Sequence, residues 1–239
     1  MNKQKRRIAL FDIDGTIFRS SLLIELIDRL IDEGIFPQRA RKELESEYVA
    51  WSDRKGSYGA YVQKVSRMHL QYIKGCKEAD VRRIARKVIK WEKDRVYTFT
   101  RDLIKRLKRE NYYLVAISGS PDYIVSMFAD HMDFDASFGR VYEIVDGKFT
   151  GNGIQKELWS DKAAIVEKFI GEAPMTVDLK GSIAVGDTET DIPLLELVGR
   201  PIAFNPNIEL ALHARKRGWE IVVERKDVVY TIEKFSLKS

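Results

Sequence analysis

Residues 7–18 read RIALFDIDGTIF. An unbroken apolar run, 8–11, ends in two aspartates, Asp12 and Asp14, one residue apart and followed by Gly15 and Thr16. A short apolar run without alternation predicts a strand covered on both faces, as in parallel sheets. In extended chain, residues two apart point to the same side. Asp12 and Asp14 are therefore expected as a like-charged pair at the strand's carboxyl end. Drying an unpartnered carboxylate costs several kcal/mol on the order of a lost buried pair, so something cationic is expected beside them. Gly15 permits a sharp turn there. The plainer reading is a turn pair or a helix cap, which either aspartate alone would satisfy.

Working outward, the pattern divides the chain. Helical spacing predicts helices over 20–33, 37–51, 58–73 and 79–91, so that 18–99 is nearly all helical. Beyond it, strand and helix alternate. Helices are expected at 103–110, 122–131, 161–170, 191–198 and 207–217, and strands at 112–117, 134–138, 182–185, 201–204 and 220–223. The run RVYEIVDGKFTG, 140–151, carries Asp146-Gly147 between two alternating stretches and predicts a β-hairpin. Alternation of this kind is the signature of a parallel α/β sheet. The first strand joins that sheet, which makes the helical block an insertion. The expected organisation is an α/β core of residues 1–17 plus 100–239, with a small helical domain at 18–99.

Composition narrows the function. The chain has 239 residues, enough for one domain with a sizeable insertion. Its net charge of +5 comes from mixed rather than clustered bases, which gives no support for a nucleic-acid partner. No apolar run approaches membrane-spanning length, and the basic start MNKQKRRIALF is followed by no signal-like apolar stretch. The single cysteine, Cys76, excludes an internal disulfide and reads as structural. A cytoplasmic location is the expectation.

Three predicted strands end in polar residues suited to one chemistry. The first supplies Asp12 and Asp14, the second Ser118 and Gly119, and a later one Asp187 with Asp191 close behind. Lys162 stands in the first turn of the helix expected after Ser160-Asp161, where a cation opposes the helix dipole. Each has a plain alternative. Lys162 alone is a solvated lysine, Asp191 a favourable N-terminal charge, and Ser118 part of a strand-to-helix turn. Ser120 is read as the cap of the next helix, with Pro121 at its first position. Taken together, carboxylates, one hydroxyl and one lysine suit a divalent metal and a phosphoryl group, and Mg²⁺ prefers such oxygen donors.

These residues resemble the haloacid dehalogenase superfamily of phosphotransferases. FDIDGT at 11–16, SGS at 118–120, Lys162 in SDKAAIV and VGDTETDIPLL at 185–195 occur in the family's order. The hairpin before Lys162 is similar to the branch that includes phosphoserine phosphatases. The resemblance implies a Rossmann-like three-layer α/β core with an inserted helical cap of the C1 type. It implies Asp12 as nucleophile, forming an aspartyl-phosphate, and Asp14 as acid and then base. Ser118, Gly119 and Lys162 would bind the phosphate. Asp12, Asp187, the Asp14 backbone carbonyl and Asp191 would hold Mg²⁺, with Asp191 acting directly or through water. The implied activity is hydrolysis of a small phosphorylated metabolite, with transfer to an alcohol or a retired phospho-ligand binder as alternatives. One position departs. Phosphoserine phosphatases carry a glutamate nine residues after the nucleophile, where this chain has Ser21; Glu25 lies one helical turn later. Phosphoserine itself is therefore not implied. Arg19, beside the first motif, could meet an anionic substrate but reads as a solvated arginine; Trp51, Tyr58 and Tyr61 could line the inner face of the helical insertion but at helical spacing read as its core.

Overall fold

All five residues of the strand Ile8–Asp12 are buried, as a run with no polar alternation requires. The computed structural model describes residues 5–154 and 161–232; Ser160 lies outside the described residues. In chain order the elements are β1 (Lys5–Arg6), β2 (Ile8–Asp12), α1 (Leu22–Asp32), α2 (Arg39–Ser52), α3 (Tyr58–Ile73), α4 (Glu78–Glu92) and α5 (Thr98–Arg109). Next come β3 (Tyr113–Pro121), α6 (Asp122–His131), β4 (Ala136–Arg140), β5 (Tyr142–Val145) and β6 (Lys148–Gly153). The last part holds α7 (Lys162–Glu172), β7 (Thr176–Val177), β8 (Ile183–Gly186), α8 (Ile192–Glu196), β9 (Arg200–Phe204), α9 (Ile208–Arg217), β10 (Glu220–Arg225) and β11 (Val228–Thr231).

The main sheet runs β11-β10-β9-β8-β2-β3-β4, parallel throughout except for β11. Alternate residues of each strand serve opposite faces. Ala9 and Phe11 join Leu114, Val185 and Phe204 in a core shared with α5, α6 and the inserted helices. Ile8 and Leu10 join Val115, Ala184 and Ala203 against α7, α8 and α9. The result is the three-layer α/β architecture expected. Each aliphatic side chain sealed this way contributes about 1.5–3 kcal/mol.

The insertion α1–α4 leaves and re-enters through paired backbone. Arg19 N–H donates to the Arg95 carbonyl, and Tyr97 N–H to that of Ile17, both at 2.9 Å. Its first helix buries the stripe Leu22, Leu23, Leu26, Ile27, Leu30 and Ile31. The expected hairpin is β5–β6, turned by Asp146 and Gly147 at φ 49° and 72°, a pair of left-handed residues that only short polar or glycine side chains fill readily.

Several boundaries differ for identifiable reasons. Helix α5 starts at Thr98, five residues before the expected start. The Glu224 carboxylate accepts from the Thr98 and Phe99 amides at 3.0 and 2.8 Å, supplying a cap from a strand remote in sequence. Strand β4 lies two residues later than expected. Phe134 instead closes the end of α6, its amide bonded to the Ala129 carbonyl, with its ring edge-on to Phe11. In place of the helix expected at 191–198 the chain makes a 3-10 turn, Glu189–Asp191, and then only the short α8. Edge strand β11 and the two-residue pair β1–β7 were not expected. Among the described residues no helix is long and apolar enough to cross a membrane.

Candidate active site

Parallel pairing aligns strand ends. Asp12 stands opposite Ile117 in β3, and Phe11 opposite Val185 in β8. Ser118 and Asp187 therefore emerge beside Asp12 at the carboxyl edge, where ligands of such sheets bind. Between Ile117 and Pro121 the β3–β4 register shifts. An irregularity of this sort re-aims side chains, here those of Ser118 and Ser120, on either side of Gly119.

Asp12, Asp187 and Asp191 bring one carboxylate oxygen each to within 4.8 Å of one another. Lys162 Nζ donates to Asp12 Oδ1 at 2.5 Å and to Asp191 Oδ1 at 2.6 Å. The lysine holds its place at the head of α7 because Asp161 caps that helix, accepting from the Ala163 and Ala164 amides. Asp191 is fully buried. Its second oxygen accepts from the Asp187 and Thr188 amides at 3.0 and 3.1 Å, so it ties the β8 loop to the lysine. A Cβ on Gly186 would lie 2.5 Å from that of Asp191, which is why glycine stands there. Gly15 has φ +87°, and a Cβ on it would run into the Asp187 carboxylate.

Three carboxylates against one ammonium leave an excess of two negative charges. Burial pushes the Asp12 carboxyl up to about 7 against the pull of Lys162, and the charges of Asp191 and Asp14 add to the rise. Burial, then Asp12 and Asp191, hold Asp187 well above the usual carboxylate range. Burial works against the Lys162 charge, but Asp12 and Asp191 outweigh it and raise its pKa. Asp12 Oδ2 is buried with no hydrogen-bond partner among the described residues. An orphan acceptor within such a cluster is where a cation fits, and three hard oxygen donors with two surplus charges match Mg²⁺.

Asp14 does not join this cluster through its side chain. Its Oδ2 accepts from the Ser118 hydroxyl and, at 2.8 Å, from the Ser120 hydroxyl; its Oδ1 accepts from the Leu22 amide at 2.5 Å. The reading of Ser120 as a helix cap is corrected here. Pro121 takes the N-cap position of α6 without any side-chain cap bond. Ser120 Oγ instead donates to Asp14 and accepts from the Leu23 amide at 3.1 Å. Asp14 and Ser120 thus satisfy the first amides of α1, whose own N-cap residue Ser21 makes no side-chain cap bond. The insertion is hydrogen-bonded directly to the acidic site. Ser120→Ala is expected to lower kcat by about ten- to a hundredfold through a loosened Asp14, and to cost about 1–3 kcal/mol for the buried Leu23 amide left without an acceptor. Steady-state kinetics and a thermal melt check this; unchanged values in both refute it.

Thr16 was also missed. It is buried and donates to Asp187 Oδ1 at 3.2 Å. Its only sequence signal was its place directly behind Asp14 and Gly15. Cys76 fits the structural reading: it is half-buried, its Sγ–H meets the Tyr72 carbonyl, and burial pushes its thiol pKa up. Glu25 is engaged by Arg95 at 3.1 Å.

The fold and the site define an α/β enzyme with an acidic centre at the carboxyl edge of its sheet. The profile of the haloacid dehalogenase-like hydrolases matches residues 9–196, and the chain belongs to that family. A Mycobacterium tuberculosis protein named phosphoserine phosphatase is 33% identical over 130 residues, covering 54% of this chain and 41% of that protein. The chain spans only about two-fifths of the length of the first curated relatives it matches. A phosphoserine phosphatase from Methanocaldococcus jannaschii is 24% identical, with 95% of this chain and 96% of that one covered. Among solved structures, a phospho-aspartyl intermediate analogue of phosphoserine phosphatase superposes with a TM-score of 0.61 at 22% identity, covering 94% of this chain and 96% of that chain. That likeness concerns the fold.

Proposed function

We propose that the chain is a Mg²⁺-dependent phosphatase that hydrolyses a small phosphorylated metabolite, a phosphate monoester, through an aspartyl-phosphate on Asp12. The observation that carries this is Asp12 itself: one oxygen held by Lys162 at 2.5 Å, the other buried and without a hydrogen-bond partner among the described residues. Relatives named phosphoserine phosphatase support phosphate ester chemistry.

Asp12 and Asp187 would hold the metal with the Asp14 carbonyl, supported by Asp191. A bound divalent cation supplies charge stabilisation to the phosphoryl oxygens. The chain's own groups do the rest. One carboxylate oxygen of Asp12 bonds to phosphorus as the ester P–O bond breaks, and Asp14 gives its proton to the leaving oxygen. Asp14 then takes a proton from water, whose oxygen attacks phosphorus and releases inorganic phosphate and free Asp12. The Ser118 hydroxyl, bonded to Asp14 in the resting site, passes its hydrogen bond to a phosphoryl oxygen and so frees Asp14. Lys162 and the Gly119 backbone balance the remaining phosphoryl charge. The helices of residues 18–99 act as a cap that excludes water once substrate is bound.

Purified protein is expected to release inorganic phosphate from an aryl phosphate only with Mg²⁺. Turnover should stop on adding EDTA and return with excess Mg²⁺. Activity undiminished by the chelator sinks the proposal, and so does binding of phosphate esters without any turnover.

A further inference from the structure

Arg140 is a cation at the carboxyl edge of the sheet that the proposed reaction does not use. It ends β4 and stands opposite Pro121, the last residue of β3, just past the shifted register. That places it at the same edge as Ser118, Gly119 and Ser120. A Cβ on Gly119 would meet one described atom within 4 Å beyond its chain neighbours, Arg140 Nε at 3.9 Å. The space beside the Gly119 Cα is otherwise open, and the Arg140 side chain walls it.

The guanidinium has no acceptor. Its Nε is buried without a hydrogen-bond partner, and the side chain makes no hydrogen bond or ion pair to a described residue. Arg82, equally half-buried, has Glu78 at 2.6 Å. The Asp122 carboxylate accepts from the Gly139 amide instead, at 3.3 Å. A sealed donor without an acceptor costs free energy unless a ligand supplies one.

The neighbours on the insertion side are uncharged. Val141 is exposed between Arg140 and the buried Tyr142, the alternation that puts Arg140 and Tyr142 on one inner side. The Tyr142 ring packs edge-on to that of His69 in α3, 5.0 Å away. His69 is fully buried. Burial, and then the Arg140 charge, push its pKa down to about 3, so it stays neutral. Its Nε2 meets the Tyr123 hydroxyl at 3.3 Å, and its Nδ1 has no partner among the described residues. Arg19, the arginine beside the first motif, is by contrast exposed and lies over the Tyr97 ring at 5.5 Å.

Resting on the phosphate-ester reading above, we propose that Arg140 is a specificity residue. The alcohol part of the substrate carries a second anionic group, a carboxylate or a phosphate, and this group takes the Arg140 guanidinium in the space beside Gly119. The planar fork of donors suits either group, and such charge-assisted pairs are among the strong hydrogen bonds. Gly119 also serves the reacting phosphoryl group, so the two anions are joined by a chain of only a few carbons.

The test compares three esters built on one three-carbon chain, with Mg²⁺ present: propyl phosphate, 3-phosphooxypropanoate and the bisphosphate of propane-1,3-diol. Each loses a primary alkoxide, so the ratios report recognition rather than leaving-group basicity. Wild-type kcat/KM for at least one charged ester is expected about tenfold or more above that for propyl phosphate, and the better of the two identifies the group. In Arg140→Met that ratio should fall about tenfold or more, chiefly through KM, while Arg140→Lys, which keeps the charge, should retain more of it. If Arg140→Met does not fold by circular dichroism, Arg140→Gln serves and should lower the same ratio. A wild-type protein that prefers neither charged ester, a preference that survives loss of the guanidinium charge, or an equal loss for charged and uncharged esters overturns the proposal while upholding the phosphatase reading. No phosphate from any of the three overturns both.

Discussion

Asp12→Asn is expected to lower kcat for an aryl phosphate by at least about 10⁴-fold with the fold intact, because removal of a covalent nucleophile takes away the reaction's first step. The substitution is nearly isosteric. An Asn carbonyl still accepts from Lys162, and the amide takes the place of the buried orphan Oδ2. It also removes one negative charge from a cluster that has two in surplus. The melting temperature in EDTA should therefore hold or rise while activity vanishes. In the wild-type protein, acid quenching during turnover should leave one phosphoryl group on the peptide containing Asp12, and none in the variant. Turnover within tenfold of wild type would end the case for Asp12 as nucleophile.

Lys162→Met should damage both activity and stability. The ammonium is nearly enclosed, with its side chain 12% exposed, and it bridges Asp12 and Asp191. Taking one partner from a buried ion pair costs about 3–5 kcal/mol, which for a chain of this size lowers Tm by on the order of 10 °C. The loss should be greatest in EDTA, where nothing else balances the carboxylates, and smaller with saturating Mg²⁺. Activity should fall by about 10²–10³-fold, as when one preorganised donor to a developing charge is removed. Lys162→Arg should not restore it, since a planar guanidinium cannot replace a compact ammonium between two carboxylates. Melts with and without Mg²⁺, beside phosphate-release kinetics, check the pair of effects. A variant equally stable in EDTA and Mg²⁺ would contradict the charge argument.

Much of the site was legible because its residues sit at strand ends that the pattern located. The run 8–11 is the clearest case: a buried parallel strand needs unbroken apolar sequence, and the residues directly after it must lie at the carboxyl edge. The same reasoning placed Ser118 behind 112–117 and Asp187 behind 182–185. Lys162 was legible as a cation in an unfavourable helix turn, and its cause is now visible in Asp12 and Asp191. Ser120 was misread because local rules explained it sufficiently. A serine before Pro-Asp looks like a cap, and nothing local reveals that the β3 irregularity turns it toward Asp14.

The sequence by itself determined the α/β alternation, the insertion after the first strand, the hairpin, and the residue types gathered at the sheet edge. These depend on periodicity and on turn chemistry, which act over a few neighbouring residues. Tertiary structure alone decided where α5 begins, because its amides are capped by Glu224. It alone decided that α1 starts on Asp14 and Ser120 and that Asp12 Oδ2 has no hydrogen-bond partner among the described residues. Hydrogen bonds and charges between residues a hundred positions apart have no local signature; they exist only once the apolar faces of the sheet have closed and brought those positions together.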